Sequence, residues 1–288
     1  MLKTVFLTKK FTGKEPCVIL LGGFDGAHLG HRFLIEKAKE YSLPIGIMTI
    51  VGGKGKSVFT PRERSELFLE LGADFILEFL FEGIRTFSPL EFSKLLTDHF
   101  NAQAFLCGND FRFGYRALGT PETLKECTHV PVEVIDLVKV NGEKVSSTTI
   151  KTLLSEGRIE EANALIGSDL FLLGEVEKDR GVGRTMGFPT ANVRYSPLKY
   201  PVKKGVYETV AIVDGKSYRA ITNYGARPTF QDDRVLTESF LDGFSGDLYG
   251  KTLRIYFKRF LREIKKFSSA EELKKQLTED IERIRNHD

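Results

Sequence analysis

The spacing of apolar residues changes near residue 170, and this change constrains the fold more than any other feature. Up to about Leu165, apolar runs such as CVILLGGF (17–24) alternate with stretches of helical spacing such as HRFLIEKAKEYS (31–42). Such alternation predicts a parallel sheet with helices on both faces. Beyond residue 170 strand-like segments follow one another closely, and only residues 268–286 are clearly helical in pattern. This second half predicts an antiparallel β-barrel with one C-terminal helix.

Capping and turn signals predict where several of these elements begin. The stretch TPRERSELFLELG (60–72) offers Thr60 as an N-cap, a proline at the first helical position, and Glu63 to close a capping box. The stretch SPLEFSKLLTDHF (88–100) repeats this signature, and Asp214-Gly215 predicts a two-residue hairpin. A short helical stretch at 148–167 joins the two patterns. We therefore expect two domains, at residues 1–165 and 166–288.

Composition and charge are those of an ordinary globular protein. Apolar residues make up 41% of the chain, and the formal net charge of +3 favours neither a nucleic-acid partner nor a membrane surface. The cysteines Cys17, Cys107 and Cys127 are odd in number and form no CxxC pair, which indicates a reducing compartment. No signal peptide and no membrane helix is predicted, so the expected location is the cytoplasm.

The stretch GGFDGAHLGHRF (22–33) places two of the five histidines three residues apart, directly after the first strand of the α/β half. Ligands of open parallel sheets bind where a strand gives way to a helix, and a helix N-terminus attracts phosphate. We therefore expect His28 and His31 to face a triphosphate, with Gly30 leaving room between them. Two partly exposed helix histidines without a role are the alternative, and a metal pair lacks a third ligand nearby.

Two further stretches of the first half carry polar residues that suit a nucleotide site. In KVSSTTIK (144–151), hydroxyl residues at a helix start precede Lys151 by one turn, and an ordinary N-cap explains this pattern equally well. The loop CGNDFRFGYRALG (107–119) brings Asn109, Asp110 and Arg112 to the carboxyl end of a strand. Its phenylalanines fit either the hydrophobic core or the wall of a pocket for a flat ring.

The second half contains a different set of candidate residues. GRTMGFPTANVRY (183–195) combines a glycine-rich loop with Thr190 and Asn192, whose oxygens suit magnesium. Glu238 lies in a strand of apolar and small residues, where a carboxylate suits the removal of a proton from a substrate hydroxyl. A structural turn and a solvated glutamate on the outer face are the alternatives.

Taken together, the motifs resemble those of the bacterial bifunctional riboflavin kinase/FMN adenylyltransferases over essentially the whole chain. The matching stretches are GGFDGAHLGH, CGNDFRFG, SSTTIK, GRTMGFPTAN, KKGVYETV, NYGARPTF, GDLYG and LREIKKF. The resemblance implies an N-terminal Rossmann-like nucleotidyltransferase domain and a C-terminal riboflavin kinase barrel. It also implies two reactions: ATP phosphorylates riboflavin to FMN, and ATP then adenylates FMN to FAD, with magnesium as the cofactor.

The resemblance also implies a role for each candidate residue. Glu238 would be the kinase base, Thr190 and Asn192 would hold magnesium, and His28 and His31 would serve adenylyl transfer. Nucleotide binding would fall to Gly23, Phe24, Asp25, Gly26, Ser146, Ser147, Thr148, Lys151, Gly183 and Arg184. Flavin binding would fall to Asn109, Asp110, Arg112 and Arg262. The expected partners are riboflavin, FMN and ATP, with a homo-oligomer left open and neither membrane nor nucleic acid expected.

Three departures from the family pattern keep other functions open. MTIVGGKGK (48–56) replaces the family's TFxPHP loop, Lys151 replaces an arginine, and LDGF replaces LLDF beside Glu238. One alternative is a riboflavin kinase whose first domain is degenerate or repurposed. Another is a nucleotide- or RNA-binding regulator, for which KDRGVGR and FKRFLREIKK would supply the basic patches.

Overall fold

The chain folds as two compact units, Met1–Ser147 and Thr148–Asp288. The computed structural model describes residues 2–6, 14–53, 55–136, 138–140, 142–178, 189–226 and 235–286. In those ranges no helix is long and apolar enough to cross a membrane.

The first unit is built on a six-stranded sheet with the order β1-β4-β3-β2-β5-β6, in which β2 to β6 are parallel. Its strands are β1 (Leu2–Phe6), β2 (Cys17–Leu21), β3 (Ile45–Val51), β4 (Phe75–Leu80), β5 (Ala102–Gly108) and β6 (Val132–Ile135). Its helices are α1 (Leu29–Lys39), α2 (Pro61–Leu71), α3 (Phe81–Ile84), α4 (Pro89–His99) and α5 (Pro121–Cys127). The predicted parallel sheet is confirmed.

Local signals account for the positions of these elements. Every residue of β2 is buried, as a continuous apolar run in a central strand requires. The predicted capping box is present at the start of α2, where Thr60 Oγ1 accepts from the backbone N–H of Glu63 and a Glu63 carboxylate oxygen accepts from Thr60 N. The same arrangement joins Ser88 and Glu91 at the start of α4.

Two elements of the first unit were not predicted from the sequence. Strand β1 joins the edge of the sheet antiparallel to β4, with Leu2 opposite Phe79 and Phe6 opposite Phe75. A small hairpin of β7 (Lys139–Val140) and β8 (Glu143–Lys144) follows the sheet. The hairpin strands have two residues each, too few for a periodic pattern, and β1 is identified only by its pairing with β4.

The second unit is a closed antiparallel barrel with the strand order β10-β13-β12-β11-β14-β9, as predicted. Its strands are β9 (Leu170–Glu177), β10 (Thr190–Arg194), β11 (Gly205–Val213), β12 (Lys216–Ala226), β13 (Val235–Leu241) and β14 (Thr252–Arg262). The predicted hairpin turn joins β11 to β12, with Asp214 at φ 48° and Gly215 at φ 78°. These two positive φ angles are the reason for the Asp-Gly pair.

Three helices accompany the barrel: α6 (Ser147–Glu156), α7 (Ile159–Ile166) and α8 (Ala270–Arg285). The amide of Asn163 on α7 donates to the carbonyl of Phe257 (2.8 Å) and accepts from the backbone of Leu170 (2.8 Å). The carbonyl of Leu154 on α6 accepts from Lys203 N (2.9 Å). These contacts group residues 148–166 with the barrel, whereas the sequence pattern assigned residues up to 165 to the first domain.

Candidate active sites

The loop between β2 and α1 has an unusual backbone. Phe24 and Ala27 adopt positive φ angles of 46° and 40°, and Gly26 lies between them at 87°. Residues other than glycine rarely adopt this conformation, and such strain concentrates at functional sites. Both side chains are completely buried, and this burial holds the turn in place. A Cβ added at Gly23 would meet no atom within 4 Å, so the loop is open there.

This loop delivers the two histidines as a stacked pair at the start of α1. Their ring centroids lie 3.7 Å apart with an interplanar angle of 17°. His28 is the N-cap residue, its side chain makes no capping hydrogen bond, and His31 rests against the ring of Phe24 (4.7 Å). A Cβ at Gly30 would lie 3.2 Å from Cε1 of His28, so glycine leaves the space that the stack occupies.

Burial keeps both rings uncharged. It lowers the pKa of His28 to about 4, although the carboxylates of Asp25 and Asp110 oppose the shift. The pKa of His31 lies well below its usual value because of burial, the neighbouring His28 and the guanidinium of Arg64. In both rings Nδ1 is buried and has no hydrogen-bond partner among the described residues. Two neutral imidazoles with unused ring nitrogens therefore stand at a helix N-terminus.

Arg64 on α2 is a residue of this site that the sequence did not reveal. Its side chain is 3% exposed, and the carboxylates of Asp25 and Glu78 stabilise its charge. Asp25 also accepts a hydrogen bond from the backbone N–H of Val58 (2.8 Å). A single arginine inside an amphipathic helix has no distinctive local pattern. Only the packing of α2 against the loop shows that this positive charge lies near His31.

The loop after β5 lies at the same edge of the sheet, because β2 and β5 are neighbouring parallel strands. The carboxylate of Asp110 is accordingly close enough to His28 to oppose the lowering of its pKa. Asp110 is paired with Lys144, Asn109 donates to Asp136 (3.1 Å), and Arg112 is exposed. The phenylalanines of this loop belong to the hydrophobic core. Phe111 and Phe113 are 7% and 6% exposed, so of the two interpretations of these rings the structure supports the core.

The boundary between the two units in the sequence falls within the hydroxyl motif. Ser146 and Ser147 end the first unit, and Thr148 and Lys151 belong to the second, where the ammonium of Lys151 lies over the ring of Tyr200 (5.7 Å). Phosphate binding by these four residues therefore stays a prediction.

On the barrel, the register brings the predicted kinase residues together. Asn192 on β10 is directly opposite Glu238 on β13. Thr190 precedes Asn192 by two residues and so lies on the same face of the strand. The alternate residues Thr237 and Ser239 are completely buried, whereas Glu238 is half-buried, which places the row on the outer face of the barrel. Gly183 and Arg184 lie outside the described residues.

Arg262 lies in the continuation of the same row. Glu238 is opposite Asn223, Asn223 is opposite Val206, and Val206 is opposite Arg262. The guanidinium of Arg262 is bound to the carboxylate of Asp280 on α8, with Nη2 and Oδ2 2.7 Å apart. This ion pair anchors the C-terminal helix, and a flavin contact of Arg262 stays a prediction.

The donor set of the row fits a magnesium ion bound to a nucleotide. Across the described ranges no group of three or more His, Cys, Asp or Glu side chains could hold a metal alone. Magnesium does not need such a group, since it keeps several waters and takes one or two protein oxygens together with phosphates. Asn192, 6% exposed beside a carboxylate, supplies a hard oxygen of this kind.

Comparison with known proteins matches each of the two units to a protein family. Residues 10–149 match the family model described as FAD synthetase, and residues 166–287 match the model described as Riboflavin kinase. A bifunctional riboflavin kinase/FMN adenylyltransferase of Pseudomonas fluorescens is 31% identical over 284 residues, covering 92% of this chain and 91% of the relative. The chain belongs to the family of bifunctional riboflavin kinase/FMN adenylyltransferases.

A second relative and a solved structure match nearly the full length of the chain. The Bacillus subtilis member of the family is 32% identical over 288 residues, covering 91% of this chain and 90% of its own. A crystal structure named for a macrolide-efflux protein of Streptococcus pneumoniae has a TM-score of 0.83 at 28% identity, and covers 96% of this chain and 100% of its own. The folds of both units are thus shared with this solved structure over nearly the whole chain.

Proposed function

We propose that the barrel unit phosphorylates riboflavin with ATP to give FMN, and that the first unit transfers the adenylyl group of a second ATP to FMN. The second reaction yields FAD and pyrophosphate. The single observation that carries the kinase part of the proposal is the cross-strand pair of Asn192 and Glu238, an amide suited to a metal ion beside a candidate base. Membership of the bifunctional family supports both activities.

In the kinase reaction, the oxygen of the ribityl 5′-hydroxyl attacks the γ-phosphorus of ATP, and the carboxylate of Glu238 accepts the proton of that hydroxyl. The bond from that phosphorus to the bridging oxygen breaks, and ADP leaves. Thr190 and Asn192 would hold the magnesium ion, which neutralises phosphate charge when it is bound. Because Asn192 is opposite Glu238, the phosphate end of the nucleotide and the base would lie side by side.

In the adenylyl transfer, an oxygen of the FMN phosphate attacks the α-phosphorus of ATP and pyrophosphate leaves. His28 and His31 are neutral, so each ring carries one N–H that can donate to a phosphate oxygen. The free backbone N–H groups of the first turn of α1 add further donors and the positive end of the helix dipole. The removal of one such donor typically slows a reaction of this kind by about 100-fold or more.

Flavin contacts in the first unit would come from Asn109, Asp110 and Arg112, at the same edge of the sheet as the histidines. Two departures bear on this unit: the MTIVGGKGK loop and Lys151, which keeps a charge but loses the bidentate geometry of arginine. The alternative to be tested is therefore a protein that has the kinase activity but not the adenylyltransferase activity. The cytoplasmic location and any homo-oligomer stay predictions.

The test is a time course of riboflavin, FMN and FAD, separated by chromatography, with purified protein, ATP and magnesium. We expect riboflavin to become FMN and then FAD. Glu238→Gln should form no FMN from riboflavin and should still make FAD from added FMN. A His28→Ala/His31→Ala variant should give the reverse, with FMN accumulating.

Matched controls separate these roles from general damage. Glu175→Gln makes the same change at an exposed position of β9, and His99→Ala removes an exposed histidine of α4. Both should behave like the unmodified protein. Accumulation of FMN without FAD by the unmodified protein would restrict the function to the kinase. Absence of any flavin phosphate would disprove the proposal.

A further inference from the structure

The barrel contains a third polar residue beside the kinase pair that the sequence patterns assigned no role. Asn223 on β12 is directly opposite Glu238, on the side away from Asn192. Side chains directly opposite in antiparallel strands have Cβ atoms about 5 Å apart. Asn192, Glu238 and Asn223 therefore form a continuous polar row across three strands, with Glu238 in the middle.

The amide oxygen of Asn223 is buried and accepts no hydrogen bond from the described residues. Its neighbours in the row cannot supply one. Glu238 as a carboxylate only accepts, and Val206, opposite Asn223 on β11, is apolar. A buried acceptor without a donor is rare in folded proteins because its lost hydration is not compensated, so a donor from a bound molecule is one explanation for this atom.

We infer that Asn223 binds the polyol chain of the flavin substrate, with its Oδ1 accepting a hydrogen bond from a ribityl hydroxyl. This inference rests on the proposed kinase function. The order of the three residues indicates that Asn223 contacts the flavin and not the metal. Asn192 would place magnesium and phosphate on one side of Glu238, and Asn223 lies on the other side. The hydroxyl that is phosphorylated reaches Glu238, so the next hydroxyls of the same chain extend toward Asn223.

The experiment compares two flavins that differ only in this chain. Riboflavin carries the ribityl group, whereas lumiflavin has a methyl group in its place. Binding of both is followed by flavin fluorescence in the presence of magnesium and ADP, for the unmodified protein and for Asn223→Ala. We expect the affinity for riboflavin to fall by about tenfold, as the loss of one hydrogen bond to a buried acceptor implies. The affinity for lumiflavin and the KM for ATP should stay the same.

Further variants keep the result interpretable. Ser217→Ala, at the exposed start of the same strand, is the control and should bind riboflavin normally. Should Asn223→Ala lower the melting temperature strongly, Asn223→Ser provides a second variant, which retains an acceptor and should bind riboflavin with intermediate affinity.

Three outcomes would overturn the inference: unchanged riboflavin binding, an equal loss for both flavins, or a raised KM for ATP with an altered magnesium requirement. The last would assign Asn223 to the nucleotide instead. A failure of the proposed function itself is distinguishable, because the unmodified protein would then bind no riboflavin and form no FMN.

Discussion

The rings of His28 and His31 stack with their centroids 3.7 Å apart, and neither Nδ1 has a hydrogen-bond partner among the described residues. Two adjacent imidazolium ions would repel each other, so this arrangement requires neutral rings. It also keeps ring nitrogens available for an anionic ligand. The pair is therefore arranged to bind phosphate. Because the rings must stay neutral in the folded protein, they lower its free energy of unfolding at acidic pH.

Stability should fall as the pH is lowered from about 6.5 to about 4. The pKa of His28 is near 6.5 when unfolded and about 4 when folded, so over this window the unfolded chain binds a proton that the folded chain does not. The loss approaches about 3 kcal/mol for this residue. Urea denaturation at several pH values measures it. His28→Asn should flatten the dependence, whereas His99→Asn, at an exposed site, should leave it unchanged; parallel curves for all three proteins would contradict the prediction.

Gly30→Ala should separate stability from activity. The added Cβ would lie 3.2 Å from Cε1 and 3.3 Å from Nδ1 of His28, so the ring must shift by a few tenths of an ångström. Alanine favours the helix by up to about 1 kcal/mol, so the melting temperature should not fall. The displaced ring should slow conversion of FMN to FAD by at least about tenfold. FMN formation from riboflavin is the internal control, and an unchanged FAD rate would refute the prediction.

Thr222→Val should destabilise the barrel by about 1–3 kcal/mol. Its hydroxyl lies between those of Thr209 (2.8 Å) and Ser239 (2.7 Å), and all three residues are fully buried. Valine has the same shape but leaves both neighbours with one partner fewer. Thr252→Val, at the exposed start of β14, is the matched control and should change the free energy of unfolding little. Equal effects of the two variants in urea denaturation would exclude a role for this hydroxyl chain.

Asp280→Ala should destabilise the attachment of α8 by roughly 3 kcal/mol. The carboxylate and the Arg262 side chain are 5% and 14% exposed, so the substitution leaves a buried charge unpaired. Asp242→Ala breaks a pair of similar geometry with Arg285, whose side chain is 58% exposed, and should cost less than about 1 kcal/mol. Calorimetry of both variants measures the difference. Similar losses would mean that burial does not decide the strength of these pairs.

Much of the fold follows from short-range patterns. The capped helices α2 and α4, the buried strand β2 and the Asp214-Gly215 turn each depend on residues within a few positions of one another. Their backbone preferences and capping hydrogen bonds depend on neighbouring residues and not on distant contacts. For the same reason the histidines could be placed at a helix start from the sequence alone.

Relationships between distant segments could not be derived in this way. Asn192, Asn223 and Glu238 lie in separate segments of the sequence. Only closure of the barrel sets the register that aligns them. The burial of Arg64 beside His31 likewise depends on how α2 packs, because an arginine in an amphipathic helix has the same local pattern whether it is exposed or buried. Local chemistry thus determined the elements and the residue types of each site, and tertiary packing determined which of those residues meet.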